Sequence, residues 1–236
     1  SDAGAAYVFR KSGSVWAQED QLLGARAGDE FGVSVAVDGD YLVVGARLAN
    51  QGMTNNAGAA HVFRHHAGDW VEETVLGALD PGDDDQFGVS VGIAGNHIVV
   101  GAWQDADAGR NTGSAYVFER KGTVWTQTGK LMNGFPSPLD DFGFAVSIGG
   151  SFALTGIPGD DGAGVRSGSA NVYAVAGDCN RNAFPDACDI LVDDRHGTSR
   201  DDDRGRQRQQ PGPLRDDGFR RGQHQRHHFG CRARRT

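Results

Sequence analysis

One short string returns four times along this chain, and its spacing limits the possible folds more than any other feature. Gly4-Ala-Ala-Tyr-Val-Phe9 comes back as Gly58-Ala-Ala-His-Val-Phe63, Gly113-Ser-Ala-Tyr-Val-Phe118 and Gly168-Ser-Ala-Asn-Val-Tyr173, at steps of 54, 55 and 55 residues. Trp16, Trp70 and Trp125 keep the same step. So do Phe31-Gly32, Phe87-Gly88 and Phe142-Gly143, and then Gly45-Ala46, Gly101-Ala102 and Gly156-Ile157-Pro158. A unit of this length cannot bury its apolar face alone, so copies must stack on one another.

Each unit predicts four short strands. The first is the Ala-Tyr-Val-Phe run, and the second carries the Trp. The third alternates, with Val33, Val35 and Val37 on one side and Ser34 and Ala36 on the other. The fourth, Tyr41 to Val44, is continuously apolar and suits a strand buried on both faces. Turn residues separate them, as in Asp38-Gly-Asp40. Glycine supplies 36 of 236 residues and is spread through every segment, which argues against a helical bundle. No apolar run approaches the roughly 18 residues that span a membrane as a helix. The expected fold is all-β: propeller blades of four antiparallel strands, three full blades plus one extra strand, within a domain of residues 1–176. The blades are expected at about 4–57, 58–112 and 113–167, with the extra strand at 168–175.

The motif residues have physical roles. A Phe before Gly places a large apolar plug beside a site where another backbone can approach closely. Gly-Ala after the buried strand is expected to permit a tight exit turn. On these motifs the chain resembles the FG-GAP repeat, the blade unit of the integrin α-subunit propeller and of many secreted bacterial proteins. The resemblance covers about residues 4–175 and implies a seven-bladed family architecture. Three blades leave a wedge open, which implies a piece of a longer propeller or self-association through open blade edges. Calcium-binding members carry an Asp-rich loop between Phe-Gly and Gly-Ala-Pro. Here that stretch shrinks to Asp38-Gly-Asp40, Ala94-Gly-Asn96 and Gly149-Gly-Ser151, so blade calcium sites are not carried over.

Residues 177–190 hold a different pattern. Against a 12-residue calcium loop, Asp178, Asn180 and Asn182 fall at positions 1, 3 and 5, Phe184 at 7, Asp186 at 9 and Asp189 at 12. Position 6 is Ala183 rather than the usual Gly. The segment resembles dockerin-type and thrombospondin type-3 loops, which use Asp at position 12. Cys179 and Cys188 flank the ligands, and a disulfide between them would close a small ring and imply an extracellular or periplasmic setting. A plain Asp/Asn turn with two free thiols is the competing reading. Two Cys with no nearby His make a poor zinc set.

Charge divides the chain. Residues 1–194 carry 11 Lys and Arg against 26 Asp and Glu, whereas 195–236 carry 12 Arg against 5 Asp. The acidic body makes nucleic acid an unnatural partner. Residues 191–236 hold almost no apolar residue, so disorder is expected there. A basic arm is one reading of this tail, and a solvated or artefactual tail is the other; within the second, 201–210 reads as a tandem calcium loop decoded in another frame. Ser1-Asp2-Ala3-Gly4 lacks the basic and apolar stretches of a leader, which suits a mature product, a fragment or a cytoplasmic chain alike.

Catalysis has no pattern to stand on. His61, His65, His66, His97, Asp105 and Asp107 do not recur with partners at nucleophile–base spacing. His61 replaces the Tyr7 and Tyr116 of sister units, pointing to packing. Asp83-Asp84-Asp85, Asp140-Asp141 and Asp160-Asp161 lie in turns, and gathered on one rim they would bind cations or a basic partner. The leading expectation is a secreted or cell-surface, non-enzymatic propeller that binds an extracellular protein or polysaccharide. The alternative is a propeller module of an extracellular polysaccharide-degrading or other hydrolytic enzyme whose catalytic part lies elsewhere.

Overall fold

The computed structural model describes residues 3–175, and every described element is a β-strand. The expected calcium loop, its disulfide and the Arg-rich tail lie outside the described residues. Thirteen strands form four antiparallel sheets. The first pairs β1 (Ala5–Ser12) with β2 (Val15–Leu23). The second runs β3 (Phe31–Asp38), β4 (Tyr41–Ala46), β5 (Ala59–His66), β6 (Asp69–Leu76). The third runs β7 (Ser90–Ala94), β8 (His97–Ala102), β9 (Ser114–Lys121), β10 (Val124–Leu131). The fourth runs β11 (Ala145–Gly149), β12 (Phe152–Ile157), β13 (Ser169–Ala174).

The all-β fold and the strand count match expectation, but the phase of the blade does not. The expected boundaries at 4–57, 58–112 and 113–167 begin each blade on the Ala-Tyr-Val-Phe strand. In the structure each complete sheet begins on the Phe-Gly strand, and the Ala-Tyr-Val-Phe strand is third. Two sheets are therefore complete, flanked by one of two strands and one of three. The physical reason is pairing: β4 bonds to β5 along its whole length, from Tyr41 opposite Arg64 to Ala46 opposite Ala59. The segment after β2 instead crosses to the next sheet. A periodic sequence carries no mark of where its sheets begin.

Apolar faces bury between successive sheets. Ala6 and Leu22 pack with Phe31, Leu42, Val44 and Phe63. Tyr41, Val43, Val62 and Leu76 on the other face of the second sheet meet Phe87, Ile98, Val100, Tyr116 and Phe118 of the third. Val99, Val117 and Leu131 then meet Phe142, Ile157 and Tyr173 of the fourth. This explains why Tyr41 to Val44 is apolar throughout: β4, like β8 in the next sheet, is buried on both faces. Where a sheet has no neighbour, the same positions are bare. Val35 is 58% exposed while its counterpart Val91 is 8% exposed, because no inner strands precede the second sheet among the described residues.

The seam between sheets is backbone against backbone. Ser34 Oγ donates to Gly88 O at 2.7 Å, and Ser90 Oγ to Gly143 O at 2.8 Å. Parallel bridges join Gly4 to Phe31, Gly58 to Phe87 and Gly113 to Phe142. A Cβ built on Gly101 would stand 1.9 Å from Gly143 O, and one on Gly45 the same distance from Gly88 O. Gly45 and Gly101 thus exist for close approach inside strands, a correction to their expected role in an exit turn. Gly88, at φ 93, combines that approach with a left-handed backbone. The Phe before each Gly is the expected plug, with Phe87 ring-to-ring on Tyr116 at 5.4 Å and on Phe118 at 6.0 Å.

Substituting Gly101→Ala should push the third and fourth sheets apart and cost about 3 kcal/mol or more. Gly149→Ala, with nothing within 4 Å of the new carbon, should stay within about 0.5 kcal/mol of the parent. Urea unfolding of the two variants checks this, and equal midpoints would refute the seam.

Candidate functional site: the acidic loop rim

Strand directions put all long connections at one end. Within a sheet, the first-to-second and third-to-fourth strands turn through two residues, such as Gly39-Asp40 and Ala67-Gly68. The second-to-third connections and the crossovers to the next sheet therefore leave from the opposite end. These are residues 24–30, 47–58, 77–89, 103–113, 132–144 and 158–168. Together they carry twelve Asp and Glu against four Arg. Asp83-Asp84-Asp85, Asp140-Asp141 and Asp160-Asp161 are thereby gathered on one rim, as the sequence allowed.

Adjacent loops are zipped by backbone bonds in a repeated pattern. Asp84 N, Gln86 N and Phe87 N donate to the carbonyls of Asn55, Asn56 and Ala57 at 2.9–3.1 Å. One sheet on, Leu139 N, Asp141 N and Phe142 N donate to Arg110, Asn111 and Thr112 at 3.0–3.2 Å. Side chains add to the zip: Asp83 Oδ1 accepts from Asn55 N at 2.8 Å, and Asp84 Oδ1 from Asn56 Nδ2 at 2.7 Å. The rim is a set of fixed loops on a rigid stack, the usual placement for recognition.

The third sheet's side of the rim holds a charge cluster. Lys130 Nζ sits 2.8 Å from Asp105, 2.6 Å from Asp107 and 2.9 Å from Asp80. Asp105, almost fully buried, also accepts from Tyr116 Oη at 2.8 Å and from Asp107 N at 2.9 Å. Burial works against the Asp105 carboxylate, yet the Lys130 and Asp107 donors outweigh it and hold its pKa below the usual carboxylate value. Burial likewise opposes the Lys130 ammonium, and its three acidic partners still hold it above the ordinary lysine range. Tyr116 is driven up, first by burial and then by Asp105. Asp85 differs. It is buried with the Gly82 amide at 2.6 Å as its close donor, and desolvation pushes its pKa up to about 6.

The remaining sequence candidates disperse. His61 packs edge-on to Phe31 at 5.1 Å and pairs with Glu72 at 3.1 Å, the packing role expected of it. His65 stacks by Trp70 and faces Glu19. His66 lines a shallow surface recess with Arg64 and Glu73, and His97 opens β8. Only Asp105 and Asp107 come together, and their shared partner is a lysine. Among the described residues no group of three or more His, Cys, Asp or Glu is placed to hold a metal ion. Sequence reading missed Lys130 and Tyr116. Lys130 was the available signal: it is one of three lysines and replaces the Val75 of the sister strand.

A family model described as FG-GAP repeat matches the chain three times, at residues 16–63, 70–118 and 125–173. No curated protein gives a significant match. Among the described residues no helix is long and apolar enough to cross a membrane.

Two variants test the cluster. Lys130→Met strands the Asp105 carboxylate and should cost about 3–5 kcal/mol in urea unfolding, against almost nothing for the exposed Lys121→Met. For Asp85 the folded pKa lies above the unfolded one, so its neutral form favours folding at low pH. That contribution is lost as pH rises from about 4 through 6, amounting to at most about 3 kcal/mol. Asp85→Asn, which keeps an acceptor for Gly82, should be more stable than the parent at pH 7.5, and the two should converge below pH 4.

Proposed function

Because the chain belongs to the FG-GAP repeat family, we propose that it is a secreted or cell-surface β-propeller that works by binding and not by catalysis. The observation that carries this reading is the rim. Its loops are pre-ordered by backbone bonds, are rich in Asp, Gly and Asn, and hold no nucleophile–base pair. The titratable groups that do cluster there, Lys130 with Asp80, Asp105 and Asp107, are engaged with one another as ion pairs. A general acid or base needs a pKa near working pH and access to substrate, and Asp105 has neither. The alternative, a module of a polysaccharide-degrading or hydrolytic enzyme, predicts His, Tyr and Arg converging on one face. The rim places its arginines on separate loops instead.

Calcium belongs to this proposal through residues 178–189. Asp178, Asn180, Asn182, Asp186 and Asp189 would supply side-chain oxygens and Phe184 its carbonyl, with Cys179 and Cys188 paired around them. The ion's role would be structural, closing a loop directly after the last strand of the repeat. Such a loop and its disulfide suit an oxidising compartment.

Titration calorimetry with calcium on the oxidised chain is the test. One binding event, lost in an Asp178→Ala, Asp189→Ala double variant, is expected. Heat that survives in the variant would move the ion elsewhere, and no heat at all would remove calcium from the proposal.

A further inference from the structure

One asparagine of the chain is followed by glycine: Asn133, with Gly134, in the connection between β10 and β11. After every other asparagine stands a residue with a β-carbon, such as Ala57, His97, Thr112 and Val172. That carbon crowds the peptide nitrogen beside the asparagine side chain, and glycine leaves it open to close approach.

The loop adds to what the sequence allows. Gly134 N donates to no acceptor among the described residues, so its proton is free for hydroxide to take. Phe135 N donates to Asn133 Oδ1 at 3.4 Å. That bond curls the amide forward over the Gly134 peptide and sets a donor where negative charge builds when the side-chain carbonyl is attacked. Gly134 and Phe135 are exposed, so water reaches both. On its other side, Asn133 Nδ2 donates to Asp140 Oδ2 at 3.1 Å. Asp140 is 2% exposed, accepts also from Ser137 N at 2.7 Å, and stands two residues before Phe142, the plug between the third and fourth sheets.

We propose that Asn133 converts without an enzyme to aspartate and isoaspartate, and that the conversion loosens the loop leading to Phe142. Gly134 N, its proton lost to hydroxide, attacks Asn133 Cγ. The N–Cγ bond forms, the Cγ–Nδ2 bond breaks, and the amide nitrogen leaves as ammonia. Water then opens the succinimide at either carbonyl, so one water is consumed for each ammonia released. Either product loses the Nδ2 donor and gains a carboxylate near Asp140, where like charges oppose each other. Isoaspartate also lengthens the backbone by a methylene. The inference is independent of the reading of the chain as a binding module.

The test holds the full chain at mildly alkaline pH and follows it by peptide mass mapping, with isoaspartate counted by an isoaspartyl methyltransferase. The acid should accumulate at 133 at least about tenfold faster than at any other asparagine of residues 3–175, and Gly134→Ala should slow it at least about tenfold. A Cβ on Gly134 meets nothing within 4 Å, so that variant should keep the parent's urea midpoint, which controls for folding. Asn133→Asp, which installs one product directly, should unfold at lower urea than the parent at neutral pH. Equal rates at 133 in the parent and Gly134→Ala, or an amide at 133 that outlasts the other asparagines, would overturn the site. An Asn133→Asp midpoint equal to the parent's would overturn the loosening.

Discussion

Everything in this structure depends on how closely two backbones approach at the seam between sheets. Gly88 O lies where a Cβ of Gly45 would be, and Gly143 O where a Cβ of Gly101 would be. Ser34 and Ser90 hydroxyls then bond to those same carbonyls across the gap. The contact fixes the separation of the sheets. That separation decides how large the residues between them can be, hence the Phe plugs and the Val-rich central strands. It also sets the rim, since the loops that zip together spring from strands on either side of a seam.

The seam has a built-in variation. Ala145 stands where Ser34 and Ser90 stand. The far face of the fourth sheet therefore lacks the hydroxyl that joins the others, and Phe152 and Leu154 are exposed there, with no following sheet among the described residues. The sheets are alike in strand order yet not in the surfaces they offer.

Much of this was legible in the residues. The strand count, the doubly buried run from Tyr41 to Val44, the Phe plugs and the packing of His61 all followed from period and polarity. Repetition itself hid the blade phase, because hydrogen-bond partners are chosen between strands and a periodic string names every phase equally. The charge cluster was half visible. Asp105 and Asp107 were noticed as candidate chemistry, but Lys130 is 23 residues beyond Asp107 and reaches it only because β10 closes the sheet whose loop carries Asp107. A bulge that leaves Thr128 out of register lies two residues before Lys130, and Glu19 and Glu73 are left out in the same way in the sister strands. No local preference in the sequence announces it.

The mismatch between the unit that repeats in the sequence and the unit that hydrogen-bonds as a sheet bears on how such a chain can grow. Copying about 55 residues in tandem, starting anywhere, inserts one whole sheet, because any window one period long contains each of the four strand types once. A duplication breakpoint thus needs no alignment with a structural boundary, and most random in-frame events of that length would yield a chain that still stacks. Lengthening by unequal exchange is therefore nearly free of the usual penalty for cutting through a folded element, while a copy of any other length would misplace every glycine at the next seam.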